Sequence, residues 1–508
     1  MRKKKSEYIQ DLVSEVINDF LKRQKDRKGY ETQWRLNNDF LQGNQNIRVN
    51  SLEDLEQTDG GYSWQMNEVF NHIAPIVESR LAKLVCVRPE MDVMPTSDNS
   101  EDIKTANLSR DILRSVYEKL NISQVITKAT NWSEIAGTSF YKITWNNCGG
   151  KKIYDKDGKV VFEGEVQVDV VSPYEIYPDS DEHEDIEDCE SIIHAKRFSR
   201  KAIKNIWGVD IIKKGEKENS EDMLIVVERY ESPCADYPNG RVVVVCEDKL
   251  LYIGELPYIN IADNKRGFPF VKQVCIRSTG HFWGKSVVEK IIPVQRAYNA
   301  VRNRKHEYLN RISMGVLTVE EGSVDITALE DDGIEPGRII VYRQNSIPPK
   351  FMEEEKFPEC FEKEEERLLS EFSQISGVSD MLNADYSLKN MSGTALELLI
   401  EQNTQRLSSS IDEIKIATKN IAKMILRLYK QFAVVPRLKK IENSKDTVVC
   451  WKNSDLGLDD IKFLSDSLLD ESVSSKREYL LKLLSSGILK DKDGNIDQVF
   501  KQKILALV

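Results

Sequence analysis

No apolar run in this sequence approaches the ~20 residues that a membrane-crossing helix requires, so no bilayer-spanning segment and no membrane partner is expected. Histidine is scarce and dispersed, five residues in 508. Without an HExxH or His-x-His pairing, neither a metal site nor any other cofactor is expected. The eight cysteines (86, 148, 189, 234, 246, 275, 360, 450) include no CxxC, which points to free, buried thiols in a reducing compartment. A Gly-x-Ser-x-Gly elbow and a papain-like cysteine signature are both absent, and there is no internal repeat. Positive charge is in deficit as well: the net charge is −11, the opposite of the basic footprint of a tight sequence-specific DNA binder.

What remains is a globular composition, 40% hydrophobic and 31% charged, long enough for two to four units at roughly 150 residues each. The basic start "MRKKK" precedes an apolar stripe (Ile9, Leu12, Val13, Val16, Ile17, Phe20, Leu21). That pattern predicts an amphipathic helix packed on the body, with a membrane or partner anchor as the alternative, and not a signal peptide. Helices are expected over 7–46, 67–85 and, as a pair, 101–137, with the Pro-punctuated "RPEMDVMPTS" as an extended crossing. From 138 the period becomes two, and β-branched runs separated by Asp157-Gly158 and Asn239-Gly240 predict a mixed or antiparallel sheet region to about 277.

A long helix is expected over 286–313, opened by Ser286 as N-cap and either kinked or started late at Pro293. Val287, Ile291, Val294, Tyr298, Val301, Tyr308 and Ile312 recur at spacings of a heptad-like seam. A short acidic β-rich insert (314–356) follows, then a helix (357–376), a polar loop (377–392) and a very long helix (393–432). The long helix has a stretch polar on every face, "EQNTQR" (401–406), which reads as a break or a lumen-facing segment. A strand near 446–451 precedes a helical tail.

Three motifs carry possible chemistry. "STGHFWGKS" (278–286) ends like a phosphate-binding loop, but the position that requires glycine is Thr279, and His281, Phe282 and Trp283 crowd the turn. An NTPase or nucleic-acid motor using 279–286 is the alternative reading; an aromatic turn with Lys285 and Ser286 as surface and cap is preferred. "DKDGNID" (491–497) has Gly and the twelfth residue misplaced for a calcium loop and reads as a turn. "DSDEHEDIED" (179–188) reads as a solvated loop, with weak divalent-ion binding as the alternative. Nothing forms a catalytic constellation, so an enzyme is not expected.

The order of elements, together with "WRLNNDFLQGNQ" (34–45), "NHIAPIVESRLAKL" (71–84), "VVSPYEIYPDSD" (170–181) and "GFPFVKQVCIRSTGHFWGKSVVEKIIPVQRAYNAVRN" (267–303), resembles the tailed-bacteriophage portal proteins, most like those of short-tailed phages. The resemblance implies an α+β portal fold. Its parts would be an α/β wing (1–285), stem helices (286–313 and 357–376), a small β-rich clip (314–356), a tunnel loop (377–392), a long wing helix with return strand (393–455) and a short α-helical crown (456–508).

It further implies a homododecameric ring at one capsid vertex of the virion, assembled in the host cytoplasm. Non-specific double-stranded DNA would be the cargo. The partners would be a separate terminase ATPase, the major capsid and scaffolding proteins and a tail adaptor. Channel-lining candidates are Asn383, Tyr386, Ser387, Lys389 and Asn390 in the loop. Arg302 and Lys305, in a basic band with Arg304 and Arg311, either face DNA or pair with acidic neighbours. Candidates for terminase or adaptor docking are Glu330, Asp331, Asp332, Glu335, Arg338 and Arg343. The stem seam from Val287 to Ile312 would be a subunit interface, or else intrachain core.

Overall fold

The computed structural model describes residues 2–49, 55–57, 67–86, 93, 99–154, 160–211, 223–260, 265–314, 317–324, 341–351, 359–378, 405–435, 437–440, 448–452 and 456. The expected first helix divides in two, α1 (Arg2–Asp26) and α2 (Lys28–Gln42). The division falls at Arg27, whose guanidinium turns inward to the carbonyl oxygens of Pro173 (3.0 Å) and Tyr174 (2.9 Å). The second helix stops at Gln42 because Gly43 takes a left-handed conformation (φ 94°) as its cap. A short hairpin, β1 (Ile47–Val49) and β2 (Leu55–Gln57), follows.

Helix α3 (Ile73–Cys86) starts later than the apolar pattern suggests, because the Asn71 side chain accepts from the backbone N–H of Ile73 (3.0 Å) and Ala74 (3.3 Å) and caps it. The expected pair appears as α4 (Ser100–Lys119) and α5 (Ile122–Ala136). Next come β3 (Thr138–Asn146), the hairpin β4 (Lys152–Tyr154) and β5 (Val160–Phe162), β6 (Glu165–Val171), β7 (Ile176–Pro178) and β8 (Ser191–Ser199). After α6 (Arg200–Trp207) the chain continues through β9 (Met223–Glu231), β10 (Arg241–Cys246), β11 (Lys249–Gly254), β12 (Ile259–Asn260), β13 (Lys265–Arg266) and β14 (Phe270–Val274).

The β region is therefore built on two larger antiparallel sheets, one of three strands ordered β14-β3-β6 and one of five ordered β11-β10-β9-β8-β7, with β4-β5 and β12-β13 as two-stranded ribbons. Period-two patterning gives the larger sheet two apolar faces. Ile193, Val227, Val243 and Val245 pack under α1 through Leu12, Val13, Val16 and Phe20. Ile192, Val226, Val242 and Val244 pack against an aromatic layer that includes Trp34, Phe140, Phe282 and Trp283. A buried polar knot ties the two sheets together. Lys142 of β3 donates to the Glu228 carboxylate of β9, which also accepts from Tyr230 (2.8 Å) and lies 3.0 Å from Nδ1 of His194 on β8.

Helix α7 (Val287–Met314) runs through Pro293 from its first residue, so the expected late start does not occur. Strands β15 (Leu317–Thr318) and β16 (Lys350–Phe351) pair beyond it, and α8 (Cys360–Ser376) returns. Contacts between Tyr298 and Phe372, Arg302 and Glu365, and Tyr308 and Phe361 run in opposite directions along the two helices, which makes the pair antiparallel. Helix α9 (Ser408–Phe432) begins directly after the polar "EQNTQR" stretch. Its stripe of Ile411, Ile414, Ile421, Ile425 and Leu428 is buried against α4, α5 and the three-stranded sheet. Strands β17 (Arg437–Lys440) and β18 (Val448–Trp451) close the described chain as an antiparallel pair. Among the described residues, no helix is long and apolar enough to cross a membrane.

Candidate functional site at the stem junction

The phosphate-loop-like turn is where β14 hands over to α7, and its glycine serves packing. A Cβ on Gly284 would sit 2.2 Å from Val274 Cγ1 and 2.6 Å from the Gly137 carbonyl oxygen. Gly137, at φ 83°, faces it, and a Cβ there would lie 2.1 Å from the Gly284 oxygen. The backbone donors a phosphate would need are already engaged. Gly280 N–H donates to Glu184 Oε1 (2.6 Å), Phe282 N–H to the Asp181 oxygen (2.8 Å), Gly284 N–H to Thr138 Oγ1 (2.7 Å) and Lys285 N–H to the Ile276 oxygen (2.9 Å). Ser286 is the expected N-cap, accepting from Val288 N–H at 3.0 Å, but it is buried and its own hydroxyl donates to the Glu134 carbonyl. Phe282 and Trp283 are buried in the aromatic layer, Trp283 edge-on to Trp34 at 4.9 Å. The turn cannot cradle a phosphate without dismantling its own hydrogen bonds.

The acidic 179–188 segment is exposed at Glu182, Asp185, Glu187 and Asp188, as a solvated loop would be, but its half-buried residues also belong to this junction. Asp181 accepts from Trp283 Nε1 (3.1 Å), and burial raises its carboxyl above the usual range against the lowering effect of that hydrogen bond. Asp185 meets Arg277 at 3.4 Å, and the Glu184 carbonyl accepts from Lys272. Among the described residues, no group of His, Cys, Asp and Glu is placed to hold a metal ion.

Beneath the turn lies a buried ion pair. Arg80 of α3 and Glu134 of α5 are 5% and 1% exposed and bond through Nε–Oε2 (2.7 Å) and Nη2–Oε1 (3.2 Å). The remaining terminal nitrogen of Arg80 donates to the carbonyl of Ser376, the last residue of α8. Cys275 donates to Glu134 Oε1 at 3.3 Å; burial, reinforced by that carboxylate, pushes its thiol well above its ordinary range, which disfavours the thiolate. Gly377, at φ 71°, lies beside Arg406 and Leu407, where an added Cβ would be 3.3 Å from Arg406 Cβ. The two ends of the segment between 378 and 405 thus meet beside Arg80.

The first half of the apolar seam of α7 is covered within the chain. Val287, Ile291, Val294 and Tyr298 are buried against Leu36, Phe40, Ile73, Val77, Leu368 and Phe372 of the same chain. Val301 is half-buried beside that cluster, Tyr308 packs on Phe361 at 6.1 Å, and the Ile312 side chain lies outside the described residues. The basic band pairs with an acidic neighbour: Arg302 Nη1 and Lys305 Nζ lie 2.8 and 3.0 Å from the two oxygens of Glu365, which also accepts from Tyr298 at 3.3 Å. Partial burial alone would raise the Glu365 carboxyl, but the Lys305 hydrogen bond and the two positive charges hold it below the usual range. Arg304 is exposed, and Arg311's side chain lies outside the described residues.

Sequence reasoning missed an amide ladder on α7 beside the seam, where His72 meets Tyr298 and Arg302 lies over Phe70. Asn303 Oδ1, Asn299 Oδ1 and Gln295 Oε1 accept from the backbone N–H of Glu68 (3.2 Å), Phe70 (3.1 Å) and His72 (3.0 Å). Gln295 and Asn303 return hydrogen bonds to the carbonyls of Phe70 and Glu68. Side chains four apart on a helix climb about 6 Å, close to the ~6.7 Å between alternate residues of an extended chain. The signal was the recurrence of amides at 295, 299 and 303 on one face.

The loop candidates Asn383, Tyr386, Ser387, Lys389 and Asn390, and the docking candidates Glu330, Asp331, Asp332, Glu335 and Arg338, lie outside the described residues. Arg343 is exposed in the insert, its N–H donating to the Ser323 oxygen at 2.8 Å.

No curated protein matches the chain. A family model described as phage P22-like portal protein matches residues 53–247 and 238–454, so it takes in both sheets, the junction, the antiparallel helix pair and α9. That span covers most of the 508 residues, and the chain belongs to the phage P22-like portal protein family.

Proposed function

We propose that copies of this chain assemble head to tail into a closed, dodecameric ring at one capsid vertex, and that double-stranded DNA passes through it during packaging and ejection. The observation that carries this reading is the antiparallel pair α7 and α8, which leaves the body at the junction and carries the small β15–β16 insert at its far end. In a ring, such hairpins would surround the axis as a stem, with 314–356 as a clip. The division into wing (1–285), tunnel loop (377–392), wing helix with return strand (393–455) and crown (456–508) rests on the same reading.

A conduit must not hold its cargo, because every phosphate neutralised by a cation adds affinity through counterion release. The net charge of −11, and the ion pairs that tie Arg302 and Lys305 to Glu365, favour passage over grip. The loop residues Asn383 to Asn390, with one lysine among the candidates, would touch the backbone lightly. Force would come from a separate terminase ATPase docking on the clip around Glu330–Arg343, where a tail adaptor would later bind, while the wing would meet capsid and scaffolding proteins.

Mass photometry of the purified protein tests the ring: a particle many times the 58.4 kDa chain mass is expected, and one near that mass refutes it. Purified protein is expected to release no phosphate from ATP. Hydrolysis abolished by Lys285→Ala would restore the motor reading.

A further inference from the structure

Strand β14 is the edge of its sheet, and its hydrogen-bond parity says what that edge offers. Cys275 N–H donates to the Gly137 oxygen and Ile143 N–H to the Pro269 oxygen, each at 2.9 Å. Odd-numbered residues from 269 to 275 therefore face β3, and the backbone N–H and C=O of Phe270, Lys272 and Val274 point away from it. Among the described residues, β14 pairs with β3 alone.

Those three residues line a groove of about 920 Å³ whose opposite wall is one face of α9, from Glu413 through Ile416, Asn420 and Arg427 to Gln431. That face is ~27 Å long at ~1.5 Å per residue, room for about eight residues of an added strand at ~3.3 Å each. Arg277 bridges Glu413 (3.0 Å) and Asp185 (3.4 Å) at one end. Ile416 is left 47% exposed. A strand edge without a second partner strand among the described residues, its Phe270 and Val274 5% and 3% exposed, beside an exposed isoleucine is a template for pairing with another chain, and folded proteins normally cover or blunt such edges.

The lining carries five Lys or Arg against three Asp or Glu, an excess of two positive charges in a chain of net −11. The groove is thus complementary to the prevailing charge of another copy of the same chain. In a head-to-tail ring, every copy must present one surface that receives and a different one that inserts. We propose that this groove is the receiving surface, and that an acidic extended segment of a second copy adds to β14 as a fourth strand of the sheet. This rests on the ring reading above.

The test replaces exposed Ile416 with the photo-crosslinking residue p-benzoylphenylalanine and irradiates assembled rings. Covalent dimers and higher multiples are expected on a denaturing gel, with the linked peptides mapping to a second copy. Rings that link only within one chain, or not at all, overturn the proposal while leaving the ring standing. A particle near the single-chain mass before irradiation would instead overturn the ring, and this proposal with it. Independently, Lys272→Pro removes an outward N–H without touching the β3 ladder. It should raise the concentration at which rings half-dissociate by about tenfold, and an unchanged midpoint in a variant with an unaltered melting curve counts against strand addition.

Discussion

Removing Arg80 should be the costliest single change at the junction. Its guanidinium is 5% exposed, donates twice to Glu134 and caps the last carbonyl of α8 at Ser376. In Arg80→Met the methionine fills much of the space, so the loss is chiefly electrostatic. Glu134 is left at 1% exposure without its guanidinium partner, the weak Cys275 thiol being the one other side-chain donor to its carboxylate among the described residues, and the Ser376 carbonyl loses a donor. Breaking a buried pair from one side costs about 3–5 kcal/mol, whereas replacing both partners by apolar groups of similar volume is often nearly neutral. The prediction is therefore strong non-additivity. Arg80→Met and Glu134→Met should each lose about 3 kcal/mol or more, and the double variant should lose clearly less than their sum. Urea unfolding followed by tryptophan fluorescence measures all four corners of the cycle. Single losses below about 1 kcal/mol, or simple additivity, would refute the claim that the pair clamps the end of α8 to the body.

Gly284→Ala should cost about 1–3 kcal/mol by overpacking against Val274 and the Gly137 carbonyl; a variant as stable as wild type in the same unfolding assay would mean the turn has slack that the contacts deny. Asn299→Leu leaves the Phe70 N–H and the Gln45 side chain without their partner, a loss of about 1–3 kcal/mol, and hydrogen exchange at Phe70 should quicken; unchanged protection would show that the ladder is incidental. The buried Glu228 carboxyl is raised by burial, but the His194 hydrogen bond and the Lys142 charge bring it well below the usual range. Its stabilising contribution is present above the unfolded value of ~4.3 and lost as pH falls below that value. The stability gap between wild type and Glu228→Gln should therefore narrow below about pH 4, and a gap constant from pH 6 to pH 3 would refute this.

Elements with a clear period were legible in the sequence because the period itself reports burial. The stripe of α9, the alternation of β8 to β10 and the amphipathic face of α1 all appear where the pattern put them. Boundaries set by a single polar side chain were not legible in this way. Whether Asn71 caps a helix or merely joins one depends on whether the preceding residues have another partner, and that partner, the amide ladder, lies more than two hundred positions away on α7. The same ambiguity governed the seam from Val287 to Tyr298, where apolar spacing states that a face is covered but not by which chain.

The junction turn shows why a motif can mislead when its residue types serve two kinds of physics. A glycine before Lys-Ser is required when backbone N–H groups must wrap a phosphate, and equally when two backbones must touch. Only the companion residue separates the cases. Here Gly137, at the end of α5, closes the contact from the other side, and a side chain at either position would collide with the opposing backbone. The engaged donors then follow from the same approach, because a turn pressed this closely onto β3 and the acidic loop finds its acceptors in Thr138, Asp181 and Glu184. Part of the acidic run, exposed elsewhere along its length, is the complement of that turn. Asp181 and Glu184 are needed to satisfy donors that would otherwise be left bare where the sheet passes into α7.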